Sequence, residues 1–209
     1  MTLKTVIVGV AGAFIFAGCS FKTTPPTSQS AGKFHQYEFN NVYNVNLSKY
    51  INKKLGKDCS GFVSLVNQDS NSIYFNSSEL DNFYDKEGRK SQAIFNLYKS
   101  QNKIYFIDPK PGDLVFFSNT THNTKTSKQK KITHLGIIQD INSNGTISFV
   151  HNTSGKNIKS VMNLKYKNLH MINGKKVNAY IITKCQSKSC LVSNKFAGFG
   201  KVDKTLKIN

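Results

Sequence analysis

The chain has 209 residues, of which 38% are hydrophobic, and its 29 Lys or Arg against 11 Asp or Glu give a formal net charge of +18. This length and apolar content suit one domain with a single core, and the chain is too short for two domains of ordinary size. Arg89 is the only arginine, and zinc-finger spacing and RNA-binding aromatic signatures are absent, so the composition excludes the usual nucleic-acid readers, which favour arginine for bidentate contacts.

Residues 1–19 begin with Met-Thr-Leu-Lys and continue as an apolar stretch that ends in Ala-Gly-Cys19. Its uncharged part is shorter than the ~20 residues of a membrane-spanning helix, which favours an export signal. The last three residues resemble a bacterial lipobox, in which Cys19 is lipidated and becomes the mature N-terminus. Ordinary signal cleavage near residues 11–13 and an N-terminal helix of the fold are the alternatives.

Residues 20–33 are mostly Ser, Thr, Pro, Gln and Gly, a composition that predicts a flexible linker because it cannot bury a core. We expect the folded domain at residues 34–184 and a basic C-terminal tail at residues 185–209. Ser20 follows Cys19 where Asp would indicate inner-membrane retention in many Gram-negative bacteria, so in a source of that type a lipid anchor on the periplasmic face of the outer membrane is expected. The positive charge suits an anionic envelope surface, and a lysine-rich compositional bias explains it equally well.

Cys59 follows Asp58, a residue suited to cap a helix, and precedes apolar residues at helical spacing. The pattern predicts a helix from Cys59 to about Asn67. A cysteine in the first turn lies near free backbone N–H groups and the positive end of the helix dipole, which lower the pKa of a thiol. Cys59 is therefore predicted to be a nucleophile.

The remaining elements change from helix to strand along the chain. A second helix is predicted at about 91–100, with Ser91 as its cap. Strand-like runs follow at 104–107, 114–117, 133–139, 146–151, 158–164 and 177–183. This order predicts an α+β fold in which the nucleophile helix packs on one face of an antiparallel β-sheet.

Two histidines lie in neighbouring predicted strands that are joined by the turn sequence Asn142-Ser-Asn-Gly145. If these four residues form the loop, Gly136 lies opposite His151, and His134 then shares a face with His151 as its diagonal neighbour at ~7–8 Å. A two-residue loop separates the histidines further, and an odd loop places them on opposite faces.

These residues can support acyl transfer by cysteine. Cys59 would supply the thiolate, His134 the base that later protonates the leaving amine, and His151 the group that orients His134. The N–H of Cys59 and a second donor would bind the oxyanion, and no metal or other cofactor is required. The alternatives are an inert core thiol with structural histidines, or a zinc site that lacks the usual close ligand spacing.

The other cysteines and histidines have simpler interpretations. Cys185 and Cys190 are spaced so that an oxidising compartment could join them in a disulfide, and two free thiols or a metal pair are the alternatives. Cys59 is then the unpaired thiol, which marks it as reactive. His35, His122 and His170 lie in weakly patterned segments and are expected at the surface.

Four sequence blocks, taken in order, resemble the signature blocks of the NlpC/p60 family of papain-like cell-wall peptidases. They are Asp58-Cys-Ser-Gly-Phe-Val63, Lys110-Pro-Gly-Asp-Leu-Val-Phe-Phe117, His134-Leu-Gly-Ile-Ile138 and His151. The resemblance implies a papain-like α+β fold with a Cys59–His134–His151 triad. It also implies an endopeptidase of peptidoglycan stem peptides, often between D-γ-glutamate and diaminopimelate. The lipid anchor is expected from Cys19 rather than from this resemblance, and the protein is expected to act as a monomer.

The resemblance further implies that Asp58 and Ser60 hold the polar backbone of the substrate. The Tyr and Gly-Gly run that the family often carries before its Asp-Cys is absent, and Tyr50 is the nearest substitute for the substrate-binding tyrosine. Residues 118–131 form a long basic loop that could reshape the cleft or bind the wall polymer. The alternatives to an endopeptidase are an inactive wall-binding lipoprotein and an amidase or acyltransferase that uses the same triad.

Overall fold

The computed structural model describes residues 43–204 and 206–208. The predicted signal segment with Cys19, the linker and the expected start of the domain at residue 34 therefore lie outside the described residues. All the described residues belong to the compact unit Phe39–Asn209. Within them, none of the helices has both the length and the apolar character that a membrane span requires.

The described chain contains helices mainly in its first half and strands mainly in its second. The α-helices are α1 (Cys59–Asp69), α2 (Ser77–Leu80), α3 (Lys90–Ser100) and α4 (Val192–Lys195). The strands are β1 (Tyr43–Val45), β2 (Ile104–Tyr105), β3 (Leu114–Ser118), β4 (Ile132–Ile141), β5 (Ile147–Thr153), β6 (Lys156–Met162), β7 (Met171–Ile172), β8 (Lys175–Lys176), β9 (Phe196–Gly200) and β10 (Leu206–Ile208).

Six of these strands form one sheet in the order β2-β9-β3-β4-β5-β6, and every neighbouring pair is antiparallel. Both faces of the sheet are covered at β3, which is buried at every position and whose side chains alternate between two clusters. Leu114 and Phe116 pack with residues of α1 and α3, whereas Val115 and Phe117 pack with Phe149, Val192 and Phe199. The predicted α+β architecture is confirmed.

The start of α1 is fixed by a cap and by a close backbone contact. The Asp58 carboxylate accepts hydrogen bonds from the N–H of Gly61 at 2.7 Å and from the hydroxyl of Ser60 at 2.9 Å, as expected for an Asp cap. A Cβ on Gly61 would lie 1.8 Å from the carbonyl oxygen of Gly56. The glycine after Cys59-Ser60 is therefore required because the preceding loop crosses directly over the helix.

The β4–β5 hairpin reaches the predicted register by a different route. Its loop has five residues, since Ile141 pairs with Ile147, and an odd loop alone would place the histidines on opposite faces. A bulge between Ile138 and Asp140 shifts the register by one residue. Ile137 then pairs with Val150, which is the register that brings His134 and His151 to one face.

Some predicted elements differ from the structure. The run at 177–183 forms an isolated bridge between Tyr180 and Leu191 rather than a strand. Helix α3 begins at Lys90, and the N-cap position is Arg89 rather than Ser91. The hydroxyl of Ser91 instead donates to the carbonyl of Ile132 on β4 at 3.0 Å, so this serine joins the helix to the sheet.

The C-terminal residues are part of the folded domain, which corrects the boundary expected at residue 184. Strand β9 lies inside the main sheet between β2 and β3, and β10 pairs in parallel with β1. The buried carboxylate of Asp113 accepts the backbone N–H of Val202 at 2.9 Å and that of Lys110 at 2.7 Å. The Asp of the Pro-Gly-Asp block thus connects its own turn to the end of the chain.

Cys185 and Cys190 are joined by a disulfide with Cα atoms 6.0 Å apart. The bridge closes a short loop directly before α4 and β9. Because a short loop removes little entropy from the unfolded chain, its contribution should lie at the low end of the ~2–4 kcal/mol typical of disulfides.

Thiol counting on denatured, unreduced Cys19→Ser protein tests this pairing. We expect one reactive cysteine, Cys59, because the variant leaves only the Cys185–Cys190 pair besides it. A count of three would refute the bridge, and reduction before the assay provides the matched control that must give three.

Candidate active site

Cys59 is the first residue of α1 and is half-buried. Two clefts, with volumes of about 430 and 500 Å³, share Cys59 together with Lys57, Asp58 and Thr133. The thiol therefore lies where the two clefts meet, a position that would allow an extended substrate to place a bond at the sulfur with groups on both sides.

The clefts differ in chemical character. The hydroxyl-rich cleft is lined by Cys59, His134, His122, Asn152, Gly155, five further Thr or Ser residues (Thr120, Thr121, Thr153, Ser154 and Thr183), Ile181, Ile182 and the shared residues. The basic cleft is lined by Gly56, Ser60, Gly61, Gly88, Arg89, Lys90, Ser91 and the shared residues. The two sides would accordingly suit different parts of one ligand.

The structure brings His134 and His151 together in the predicted manner. Nε2 of His134 lies 2.7 Å from Nδ1 of His151, and the ring centroids are 4.9 Å apart. This hydrogen bond occupies Nε2 of His134 and leaves Nδ1 as its other ring nitrogen, and the side chain lines the hydroxyl-rich cleft together with Cys59. The backbone N–H of Leu135, the residue after His134, donates toward the sulfur of Cys59, so β4 and the start of α1 are in direct contact.

The hydrogen-bond partners of the histidine nitrogens can be compared with what a zinc site of Cys59, His134 and His151 would require. Nε2 of His151 lies 2.8 Å from the hydroxyl oxygen of Ser160, so both nitrogens of this ring have protein partners. Across residues 43–204 and 206–208, no group of three or more His, Cys, Asp or Glu side chains is arranged to hold a metal ion. His134 and Cys59 line the same cleft, and His134 is hydrogen-bonded to His151.

The electrostatics of Cys59 correct the expectation of a lowered pKa. Burial raises the pKa of the thiol from 9.0 to about 11, and the adjacent Asp58 carboxylate acts in the same direction. The N–H groups of Leu135, Ser60 and Cys59 oppose this shift but do not reverse it. Desolvation therefore outweighs the helix start, and the resting thiol is protonated at neutral pH.

Both histidines are also uncharged at neutral pH. Burial lowers the pKa of His134 from 6.5 to about 4, although the Asp58 carboxylate partly opposes this change. Burial, and then the neighbouring His134, hold the pKa of His151 well below its ordinary value. The site therefore rests with a neutral thiol and two neutral imidazoles.

Of the expected substrate residues, Asp58 and Ser60 lie in the clefts and Tyr50 does not. Asp58 lines both clefts and Ser60 lines the basic cleft. Tyr50 is buried, packs edge-on against Phe62 with ring centroids 5.8 Å apart, and donates its hydroxyl to Asp69 at the other end of α1. Its hydroxyl thus supports the core side of the helix, which corrects its assignment as a substrate residue.

Sequence reasoning missed several residues that line or support the site. His122 was expected to be a simple surface residue, and it is exposed, but it lies on the wall of the hydroxyl-rich cleft. The contact between Ser160 and His151 follows from the pairing of β5 with β6. The sequence signal for this contact is the Ser154-Gly155 dipeptide, which is typical of a two-residue hairpin turn. In the structure both residues have positive φ and form that turn. The resulting register places Ser160 diagonally from His151.

The family model described as the NlpC/P60 family matches residues 31–176. This match spans most of the chain, and the chain belongs to that family. Its members are generally cysteine peptidases, so membership suggests cell-wall peptidase activity and implies a peptidoglycan substrate. Searches of curated proteins and of solved structures gave no match.

The low pKa of His134 predicts how activity depends on pH. A base with a pKa of about 4 stays neutral in mildly acidic solution, whereas one at the ordinary ~6.5 would be only about one-tenth neutral at pH 5.5. We expect kcat/KM on muropeptides at pH 5.5 to exceed half of its value at pH 7. If kcat/KM at pH 5.5 instead fell to about one-tenth of its value at pH 7, in protein whose melting temperature is unchanged at pH 5.5, the result would contradict the low pKa of His134.

Proposed function

We propose that this protein is a cysteine endopeptidase that hydrolyses peptidoglycan stem peptides through Cys59, His134 and His151. The observation that carries the proposal is the 2.7 Å contact that the buried His151 makes with His134, whose side chain lines the same cleft as the half-buried Cys59. Family membership supplies the substrate class, and the bond between D-γ-glutamate and diaminopimelate is the proposed site of cleavage.

The first half of the reaction follows from the neutral resting pair. Nδ1 of His134 accepts the thiol proton as the sulfur of Cys59 attacks the peptide carbonyl, since a separate thiolate is unfavourable there. The S–C bond forms, and the carbonyl electrons move to its oxygen, where the N–H of Cys59 would be one donor. Collapse of this intermediate breaks the C–N bond, and the His134 imidazolium protonates the leaving amine.

The second half regenerates the enzyme. The acyl group is now a thioester on Cys59, and a water molecule attacks its carbonyl while His134 accepts the proton of that water. The C–S bond breaks, the product leaves as a carboxylic acid, and the sulfur recovers its proton. Nδ1 of His151 accepts the hydrogen bond of His134 throughout, which keeps the ring oriented and stabilises its protonated form.

The basic cleft supports a substrate that carries carboxylates. Lys57, Arg89 and Lys90 contribute to its walls, and guanidinium and ammonium groups bind carboxylates through charge-assisted hydrogen bonds. Glu87 accepts a hydrogen bond from Arg89 at 3.3 Å and another from Lys131, so the guanidinium is oriented at the cleft edge. Stem peptides that contain glutamate and diaminopimelate carry such free carboxylates.

Purified muropeptides incubated with the protein and analysed by mass spectrometry test the proposed function. New fragments that differ from the substrate by cleavage and addition of water at the glutamyl–diaminopimelate bond support it. Release of the whole peptide from the sugar would indicate the amidase alternative, and joining of two peptides would indicate the acyltransferase. Unchanged muropeptides would indicate a binding protein without turnover.

Substitutions should separate the three roles. We expect Cys59→Ala and His134→Ala each to reduce turnover by at least about 10⁴-fold, because they remove the nucleophile and the proton carrier. His151→Asn should leave measurable turnover, reduced about 10- to 100-fold, because an orienting group does not carry the proton. Rates on purified muropeptides provide the measurement, and Ser148→Ala, which removes a buried hydroxyl of β5 away from the histidines, is the control. Tolerance of His134→Ala would show that the base is misassigned.

We further propose that Cys19 carries a lipid and anchors the protein to the periplasmic face of the outer membrane. The proposal rests on the lipobox-like Ala-Gly-Cys19 and on Ser20 at the following position.

Labelled fatty acid should enter the wild type and be absent from Cys19→Ser, because the cysteine thiol is the acceptor. The Cys59→Ala protein controls for expression and should be labelled like the wild type. A mature N-terminus at any residue other than 19 would contradict lipidation.

A further inference from the structure

Ser160 has a contact that the three proposed catalytic roles do not explain. Its hydroxyl oxygen lies 2.8 Å from Nε2 of His151, and both residues are buried between β5 and β6. Nδ1 of the same ring faces His134 at 2.7 Å. His134, His151 and Ser160 therefore form a continuous chain of hydrogen bonds that extends from the cleft into the sheet.

The protons in this chain can be arranged in two consistent ways. If His134 is to accept a proton at Nδ1, its hydrogen must be on Nε2 and must be donated to Nδ1 of His151. Neutral His151 then carries its own hydrogen on Nε2, and Ser160 must accept it. In the opposite arrangement Ser160 donates to Nε2, His151 donates to His134, and the hydrogen of His134 occupies Nδ1. Only the first arrangement leaves His134 able to act as a base.

We propose that Ser160 is a positioning residue that accepts the Nε2 hydrogen of His151 and thereby stabilises the tautomer of both histidines needed for catalysis. The surroundings give the hydroxyl this importance. The ring of His151 lies against Phe149, with centroids 5.0 Å apart, and Phe117 packs against both Phe149 and His134. Without Ser160, a buried N–H would face apolar side chains, and this unfavourable state belongs to the active tautomer.

When Ser160 accepts the Nε2 hydrogen of His151, Nδ1 of His151 should also become a stronger hydrogen-bond acceptor. Electron density moves toward Nδ1 when Nε2–H donates, so Nδ1 binds the hydrogen of His134 more strongly. The titratable side chains that share the cleft with His134 are Lys57, Asp58, Cys59 and His122, and His151 on β5 contacts its ring; of these, Asp58 raises its pKa. Ser160 acts on His134 only through His151, and its catalytic effect rests on the proposed function.

The tautomers can be measured without any turnover. Long-range ¹⁵N–¹H spectra of the histidine rings in Cys59→Ala protein at pH 7.5, assigned with His151→Asn, should show His134 and His151 both carrying their hydrogens on Nε2. Adding Ser160→Ala should move part or all of both populations to Nδ1, whereas Ser160→Thr, which keeps the hydroxyl, and Ser148→Ala should not. Unchanged tautomers in Ser160→Ala would overturn the proposal.

Kinetics on muropeptides provide an independent readout in protein that retains Cys59. Ser160→Ala should lower kcat about 10-fold with KM little changed, by analogy with other partners of functional histidines. It should also shift the acid limb of the kcat/KM profile to lower pH, because the protonated His134 loses stabilisation, and Ser160→Thr should restore both. A loss of kcat with an unshifted acid limb, or an equal loss in Ser148→Ala, would show a structural role and overturn the proposal.

Absence of turnover in the wild type would reject the proposed function instead, and the tautomer spectra would still decide the role of Ser160.

Discussion

The hydrogen bond between His134 and His151 depends on the register of one β-hairpin, and the geometry of the site depends on that bond. A slip of one residue would move one histidine to the other face of the sheet. The five-residue loop would produce that slip, and the bulge between Ile138 and Asp140 compensates for it. Strand β4 lies between β3 and β5 and also supplies the Leu135 N–H that contacts the sulfur of Cys59. One strand thus positions the proposed base relative to both the proposed orienting group and the proposed nucleophile.

The environment of this strand determines the state of the reacting groups. Burial raises the pKa of Cys59 and lowers the pKa of His134, so the neutral pair is favoured over an ion pair. The N–H groups at the start of α1 oppose this rise in the pKa of Cys59, but burial of the thiol has the larger effect. Proton transfer should therefore accompany attack on the substrate. A thiol that is protonated at rest is also less exposed to oxidation, because the thiolate is the reactive form.

Local sequence patterns were sufficient for much of the fold and for the core of the site. Asp58 and the apolar spacing after Cys59 predicted α1. The shared face of His134 and His151 was predicted from a four-residue loop, whereas the structure reaches it through a five-residue loop and a bulge that the sequence did not reveal. Patterns could not reveal contacts set by distant pairing, such as Ser160 on His151, or the insertion of β9 between β2 and β3. They also failed for Tyr50, whose hydroxyl is bonded to Asp69, and for the pKa of Cys59, because both depend on burial that only the assembled fold defines.

Alkylation of Cys59 by iodoacetamide as a function of pH tests this account most directly. The rate follows the thiolate fraction, and subtraction of the rate for Cys59→Ala removes any contribution from the other cysteines. The account predicts that the apparent pKa of Cys59 lies clearly above the ordinary thiol value, toward the value of about 11 indicated by its buried surroundings. An apparent pKa near 7 or below would contradict it, because Cys59 and His134 would then rest as a thiolate–imidazolium pair.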